Sequence, residues 1–223
     1  MVPCYSVVFG IIEDIILRTA VCGYLESHTM KELIDRAQCR SDSLPAVVIM
    51  MGVAGSGKTT VGSMLAQHLR WEFQDADWFH PNANVEKMRA GVPLTDEDRR
   101  PWLEAIAAWI DQIRSTGRHG VVACSALKRT YRDMLIRGRQ DVQLVYLRGE
   151  RNLIAQRMAA RKDHFMPTTL LDSQLATLEE PGADEHPIVV SIDAALQVTV
   201  DVIASALATA TSGSSHPNIP RPG

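Results

Sequence analysis

Eight residues constrain this chain more than any others: Gly52-Val53-Ala54-Gly55-Ser56-Gly57-Lys58-Thr59. A short continuous apolar run, Ala46 to Met51 (AVVIMM), leads into them. After them Val61, Met64, Leu65, His68 and Leu69 recur at helical spacing. A run of that length and apolarity fits a fully buried parallel strand. Strand, glycine loop and helix is the order of a phosphate-binding loop. The glycines let the backbone turn so that successive N–H groups point inward at phosphate oxygens, and the helix adds the positive end of its dipole. Lys58 is placed to reach the β- and γ-phosphates, and Thr59 to offer its hydroxyl to Mg²⁺. Gly52 through Thr60 are therefore the candidate nucleotide-binding residues, with Lys58 also a catalytic candidate.

The alternation continues beyond the loop. Strands are predicted at Trp71–Asp75, Gly120–Cys124, Gln143–Leu147 and Ile188–Ile192. Helices are predicted at Asn82–Ala90, Arg99–Ser115 and about 128–137, 151–161, 168–178 and 194–209. Trp102, Ile106, Trp109, Ile110 and Ile113 form one face of the longest helix, with Asp98 as its expected N-cap and Pro101 in its first turn. Strands alternating with helices imply an α/β fold with a parallel sheet covered on both faces. The C-terminal ends of such strands collect functional groups on one edge.

Composition narrows the partners. The chain has 223 residues, 46% of them hydrophobic and 22% charged, as in a globular protein with a sizeable core. A formal net charge of −3 argues against a general nucleic-acid or membrane-surface binder. The most apolar early stretch, Val7 to Leu17, is broken by Glu13 and Asp14, short of the ~18 apolar residues a membrane span needs. It also lacks a basic leader and a small-residue cleavage site, so no secretory signal is expected and a cytoplasmic location is. Cys4, Cys22, Cys39 and Cys124 form no CxxC pair and read as free thiols. Residues 1–44 read as an N-terminal extension, with Met30 an alternative start. Residues 45–209 form the kinase-like domain, and 210–223 a disordered tail rich in Ser, Gly and Pro.

Two carboxylates, Asp75 and Asp77, end the second strand, and strand period puts them on one side. Beside a phosphate loop this suits one carboxylate for the Mg²⁺ shell and one for a substrate hydroxyl, which needs orientation and a proton acceptor. We assign Asp77 to the hydroxyl and Asp75 to the metal shell or to structural support, although spacing alone would allow the exchange. His80, in a Phe-His-Pro turn, reads as structural or as a substrate contact. Arg99, and the Lys128/Arg132 pair four residues apart after the third strand, are candidates to hold an acid. Arg157 and Arg161, one turn apart and followed by Lys162, Asp163 and His164, are candidates for a lid that neutralises charge and excludes water.

Longer segments carry a resemblance. Phe73–Pro81 (FQDADWFHP), Asn84–Met88, Gly91–Trp102 (GVPLTDEDRRPW), Cys124–Asp133 (CSALKRTYRD) and Leu178–Glu185 (LEEPGADE), in that order, are similar to the P-loop gluconokinases. The similarity runs from about Val47 to Leu207; the extension and the tail have no counterpart in it. It implies a nucleoside-monophosphate-kinase-like three-layer sandwich with a five-stranded parallel sheet and a small lid. It implies ATP- and Mg²⁺-dependent phosphorylation of D-gluconate at its 6-hydroxyl, giving 6-phosphogluconate and ADP (EC 2.7.1.12). It further implies a cytoplasmic enzyme, often a homodimer. By the same resemblance, Asp77 meets the substrate hydroxyls, Arg99, Lys128 and Arg132 the sugar acid, and the Arg157/Arg161 segment is the lid.

Fold does not fix substrate. A shikimate kinase would carry a Gly-Gly-Gly turn where this chain has Cys124-Ser125-Ala126. A regulatory nucleotide binder without catalysis would be expected to lack Lys58, Thr59 or the acidic strand end, and all are present.

Overall fold

The computed structural model describes residues 44–160 and 168–210. The expectations for the N-terminal extension, for Arg161 to His164 and for the tail from residue 211 lie outside them.

Strand β1 (Val47–Met51) is wholly buried and lies at the centre of a five-stranded, all-parallel sheet. Its neighbours are β3 (Gly120–Ala123) and β4 (Val142–Arg148), so that Ile49 sits opposite Val122 on one side and Leu144 on the other. β2 (Glu72–Asp75) and β5 (Ile188–Ser191) form the edges, giving the order β2-β3-β1-β4-β5. Strand period sends Val48 and Met50 to one face and Val47, Ile49 and Met51 to the other. Both faces are covered, which is why β1 carries no polar alternation.

Helix α1 (Lys58–Leu69) follows β1. After β2 come a 3₁₀ turn (Ala76–Phe79), α2 (Asn82–Arg89) and α3 (Asp96–Ser115). α4 (Arg129–Ile136) follows β3, and α5 (Arg151–Ala159) and α6 (Thr168–Thr177) follow β4. α7 (Leu196–Ala210) closes the described chain. α3 and α4 bury Ile106, Ile110 and Leu135 against Ile49 and Tyr146. On the opposite face Val61 and Leu65 of α1, Ile154 of α5 and Ile203 of α7 pack on Val48, Met50 and Leu147. These are the three layers expected from the sequence.

Element ends moved where tertiary hydrogen bonds decide them. Trp71 lies outside β2, because its N–H donates to the Ala66 carbonyl and its ring stacks on His119. The long helix starts earlier than expected. Its N-cap is Thr95, and Asp98 is the third helical residue of a capping box: Thr95 Oγ1 accepts from the Asp98 N–H, and the Asp98 carboxylate accepts from the Thr95 N–H. Pro101 therefore sits in the second turn, where its missing N–H forfeits a bond to the Glu97 carbonyl. The Asp98 carboxylate also accepts from Lys87, at 2.7 and 2.8 Å, and ties α2 to α3.

The order β2-β3-β1-β4-β5 reverses direction at β1 and β3. The chain leaves β1 toward one edge of the sheet and leaves β3 toward the other. A crevice opens at the C-terminal ends of two such strands. The glycine loop after β1, the segment after β3 and Asp75 at the end of β2 all meet there, and the Gly52 N–H donates to the Ser125 carbonyl at 3.4 Å.

Thr95→Ala removes a cap acceptor and should cost about 1 kcal/mol of stability, read as a lower denaturant midpoint with an unchanged slope. An unaltered midpoint would mean that the capping box contributes nothing.

Candidate active site

The loop after β1 curls as its glycines require. Gly55 (φ +81°) and Gly57 (φ +94°) adopt left-handed backbone, and a Cβ on Gly55 would lie 2.6 Å from Met158 Cγ of α5. Gly57 caps α1 without a side chain, leaving the first N–H groups of the helix directed into the loop. Lys58 folds back over it, with Nζ donating to the Val53 carbonyl at 3.0 Å. A cavity of about 340 Å³ opens beside the loop, lined by Gly55, Gly57, Thr60 and Arg157 and closed by Ile192 and Thr199. The Arg157 guanidinium donates to the Ile192 carbonyl at 2.5 Å, so Arg157 and the loop share one cavity.

Asp75 and Asp77 come together by a route that strand period did not predict. Asp75 ends β2, whereas Asp77 already lies in the 3₁₀ turn. Asp75 Oδ1 accepts from the Asp77 N–H at 3.1 Å, and Oδ2 accepts from Thr59 Oγ1 at 2.8 Å. One carboxylate thus spans the turn and the phosphate loop. Partial desolvation, then the Asp75 charge, raise the Asp77 pKa above the ordinary carboxylate value, against the opposing pull of His80 and Lys58. The Asp77 side chain stays open to solvent although the surrounding protein recesses its carboxyl.

The turn is held from beneath. Trp102 Nε1–H donates to the Ala76 carbonyl at 2.7 Å, and the His80 ring stacks on Trp102 at 4.5 Å and 7°. Burial lowers the His80 pKa and Arg99 lowers it further, while Asp77 opposes them. His80 is therefore predominantly a neutral ring at pH 7, three residues after Asp77.

The basic residues divide. Arg99 and Lys128 flank one aromatic ring: Arg99 lies 6.0 Å and Lys128 5.5 Å from the centre of Tyr131. Asp96 ties the group together. It accepts from Lys128 Nζ at 2.7 and 2.9 Å and from the Tyr131 hydroxyl at 2.5 Å, and lies 3.7 Å from Arg99. The bonds from Lys128 and then Tyr131 hold its carboxyl below the usual range. Arg99 also donates to the Leu94 carbonyl at 2.7 Å.

Arg132 does not join them, and its expected role on a sugar acid is corrected. Lys128 is the N-cap of α4 and Arg132 points into the protein, so the pair shares no exposed helix face. The Arg132 side chain is 1% exposed and forms a two-pronged pair with Glu185, itself 5% exposed, at 2.5 and 2.9 Å. Its third nitrogen donates to the carbonyls of Ala126, Leu127 and Glu179. Every nitrogen is committed inside the protein, where the residue braces the segment after β3. Cys124, at the start of that segment, has its thiol pushed up to about 12 by burial and is an inert packing group.

Sequence reasoning missed three residues of this region. Glu185 and Tyr131 lay inside quoted motifs, but their partners, 53 and 35 residues away, had no local signature. Gln174 had none at all, yet its Oε1 accepts from the Ala54 N–H of the phosphate loop at 2.6 Å.

Comparison with known proteins fits this geometry. A family model described as shikimate kinase matches residues 54–207. A probable gluconokinase of Xenopus tropicalis is 44% identical over 70% of this chain and 90% of its own length. The gluconokinase of Gluconobacter oxydans is 48% identical over 66% of this chain and 83% of its own length. The chain belongs to the gluconokinase family. A solved gluconokinase from Sinorhizobium meliloti superposes on this gluconokinase-family chain with a TM-score of 0.70 at 38% identity, over 78% of this chain and 99% of the other. The α/β phosphate-loop kinase fold is thereby shared.

Two outcomes are expected. Asp75→Asn removes the like charge beside Asp77, so an NMR titration of the Asp77 carboxyl should move to lower pH; a shift upward or none would contradict the coupling. Arg132→Met strands a buried carboxylate and should cost about 3–5 kcal/mol in denaturant unfolding. A loss below about 1 kcal/mol would return Arg132 to the surface role expected from its spacing.

Proposed function

We infer that this chain transfers the γ-phosphoryl group of ATP to the 6-hydroxyl of D-gluconate, giving 6-phospho-D-gluconate and ADP. The observation that carries the reading is the position of Asp77. It is joined through Asp75 to Thr59 of the phosphate loop and lies near His80, which feels the charge of Arg99, one of two cations around Tyr131, within a chain of the gluconokinase family. A kinase of a small sugar acid needs those three parts in that order: phosphate cradle, hydroxyl acceptor, carboxylate holder.

The loop Gly52–Thr60 cradles the phosphates, and Lys58 neutralises the charge that develops on the transferring group. The cavity between Thr60, Arg157 and Ile192 takes the base and ribose, with Arg157 at its wall. Mg²⁺ fits the donors present. Thr59 and Asp75 supply a hydroxyl and a carboxylate already 2.8 Å apart, both hard oxygen ligands. Among the described residues no cluster of three or more His, Cys, Asp or Glu is placed to hold a metal alone. That suits an ion completed by phosphate oxygens and water, and its contribution is to neutralise phosphate charge. Asp77 orients the 6-hydroxyl and receives its proton as the new O–P bond forms and the bond to ADP breaks. Its raised pKa brings it nearer the operating pH than an ordinary aspartate. His80 fixes the turn and hydrogen-bonds the substrate chain. Arg99 and Lys128 exchange part of their hold on Asp96 for the gluconate carboxylate.

The enzyme is proposed to work as a cytoplasmic homodimer. None of the described helices is long and apolar enough to cross a membrane.

The test is ADP release with Mg²⁺·ATP across gluconate, other sugar acids, shikimate and nucleoside monophosphates. Turnover on gluconate should be lost in Lys58→Ala. In Asp77→Asn it should fall about 10²–10⁴-fold with ATP affinity nearly intact. Turnover on shikimate in place of gluconate would overturn the substrate.

A further inference from the structure

One peptide of the phosphate loop is gripped at both ends. The Val53 carbonyl accepts from Lys58 Nζ at 3.0 Å, and the N–H of the same peptide, on Ala54, donates to Gln174 Oε1 at 2.6 Å. Gln174 comes from α6, 120 residues further along the chain. Within the loop the Ser56 N–H also donates to the Val53 carbonyl, at 3.2 Å, while Gly52 (φ +151°) and Gly55 (φ +81°) on either side leave the flanking backbone free to shift. Gln174 adds a tie from the N–H end of the peptide to another element of the fold. Were the peptide to rotate, the Val53 carbonyl would turn away from the ammonium.

We propose that Gln174 is a positioning residue for Lys58: by holding the Ala54 N–H it orients the Val53 carbonyl, and that carbonyl stations the lysine head group over the phosphate site. The inference rests on the assignment of Lys58 to the phosphates of ATP. Hydrogen bonds at the two ends of one peptide polarise each other, so the glutamine also makes the Val53 carbonyl a better acceptor. The helix that carries Gln174 is itself braced. Asp172 accepts from Arg151 of α5 at 2.8 Å. Beyond the helix end, the Glu179 N–H donates to the Leu127 carbonyl at 2.9 Å, and the Glu179 carboxylate accepts from the Arg129 N–H at 2.7 Å. The glutamine is therefore presented from a fixed base.

The experiment is a double-mutant cycle on the full chain, with the Mg²⁺ complex of the β,γ-imido analogue of ATP titrated calorimetrically into wild type, Gln174→Met, Lys58→Met and the double variant. Methionine keeps the length of the side chain and loses the acceptor. In the wild-type background Gln174→Met should weaken binding roughly five- to tenfold, the worth of one neutral hydrogen bond. In the Lys58→Met background the same change should cost less than about twofold, because its effect is transmitted through the lysine. In steady-state assays Gln174→Met should raise KM for ATP and lower kcat, with KM for gluconate within about twofold. A general loosening of α6 would move that constant as well. Gln174→Ala should follow the same pattern, which guards against a new packing role for methionine. Equal losses in both backgrounds, or no loss in wild type, would overturn the proposal. Full nucleotide affinity in Lys58→Met alone would instead sink the phosphate-loop assignment on which it stands.

Discussion

The burial of β1 is the constraint from which the rest of the structure follows. Val47 to Met51 are fully buried, paired with β3 on one edge and β4 on the other, and covered by helices on both faces. Such a strand has no exposed edge or face, and its chain emerges only at its ends. At the C-terminal end it meets the point where the sheet order reverses, and the crevice there receives whatever follows. Here that is a glycine loop and the N-terminus of α1. Phosphate binding is thus built from backbone N–H groups anchored in the most rigid part of the molecule. Lys58 and Gln174 are the long side chains that bond to the loop backbone.

The remaining chemistry is arranged by charges that restrain one another. Asp75 joins the loop to the 3₁₀ turn through Thr59 and the Asp77 N–H, and its charge raises the pKa of its neighbour. Asp96 collects Lys128 and Tyr131, with Arg99 close by, and so keeps two cations ordered around one ring. A partly exposed pair of this kind contributes little to stability and can be exchanged for a ligand carboxylate. The Arg132–Glu185 pair is the opposite case. It is buried, two-pronged and supplemented by three carbonyls, so it cannot be traded for a ligand without stranding charge in the interior. Two arginines thus serve different ends, Arg99 in a partly exposed cluster and Arg132 in a buried brace.

Much of this was legible along the chain. Five strands were expected and five are present among the described residues; β1 and β3, buried throughout, are short apolar runs that helical periodicity does not mimic. Their ends were less legible. β4 reaches Val142 and Arg148 because β1 and β5 supply ladder partners there. The long helix begins at Thr95 because a reciprocal cap outcompetes the Asp98 start that the proline position suggested. The phosphate loop could be read directly, being contiguous and governed by glycine backbone freedom. The partnership of Asp75 with Thr59 could be anticipated only as a role. The 2.8 Å contact itself needs β2 at the edge and β1 at the centre.

What the sequence determined by itself is everything set by local rules: strand and helix periodicity, the glycine loop, and the ordered motifs that mark the family. Tertiary structure alone decided which charged and polar side chains are available for substrate. Arg132 reads as one more cation beside Lys128 until Glu185 arrives from 53 residues away. Gln174 reads as an ordinary helix residue until the fold brings it against Ala54. The physical reason is range. Backbone torsion and hydrophobic period act between near neighbours in the chain, whereas the worth of a charge or an amide depends on what lies within about 3 Å of it in space.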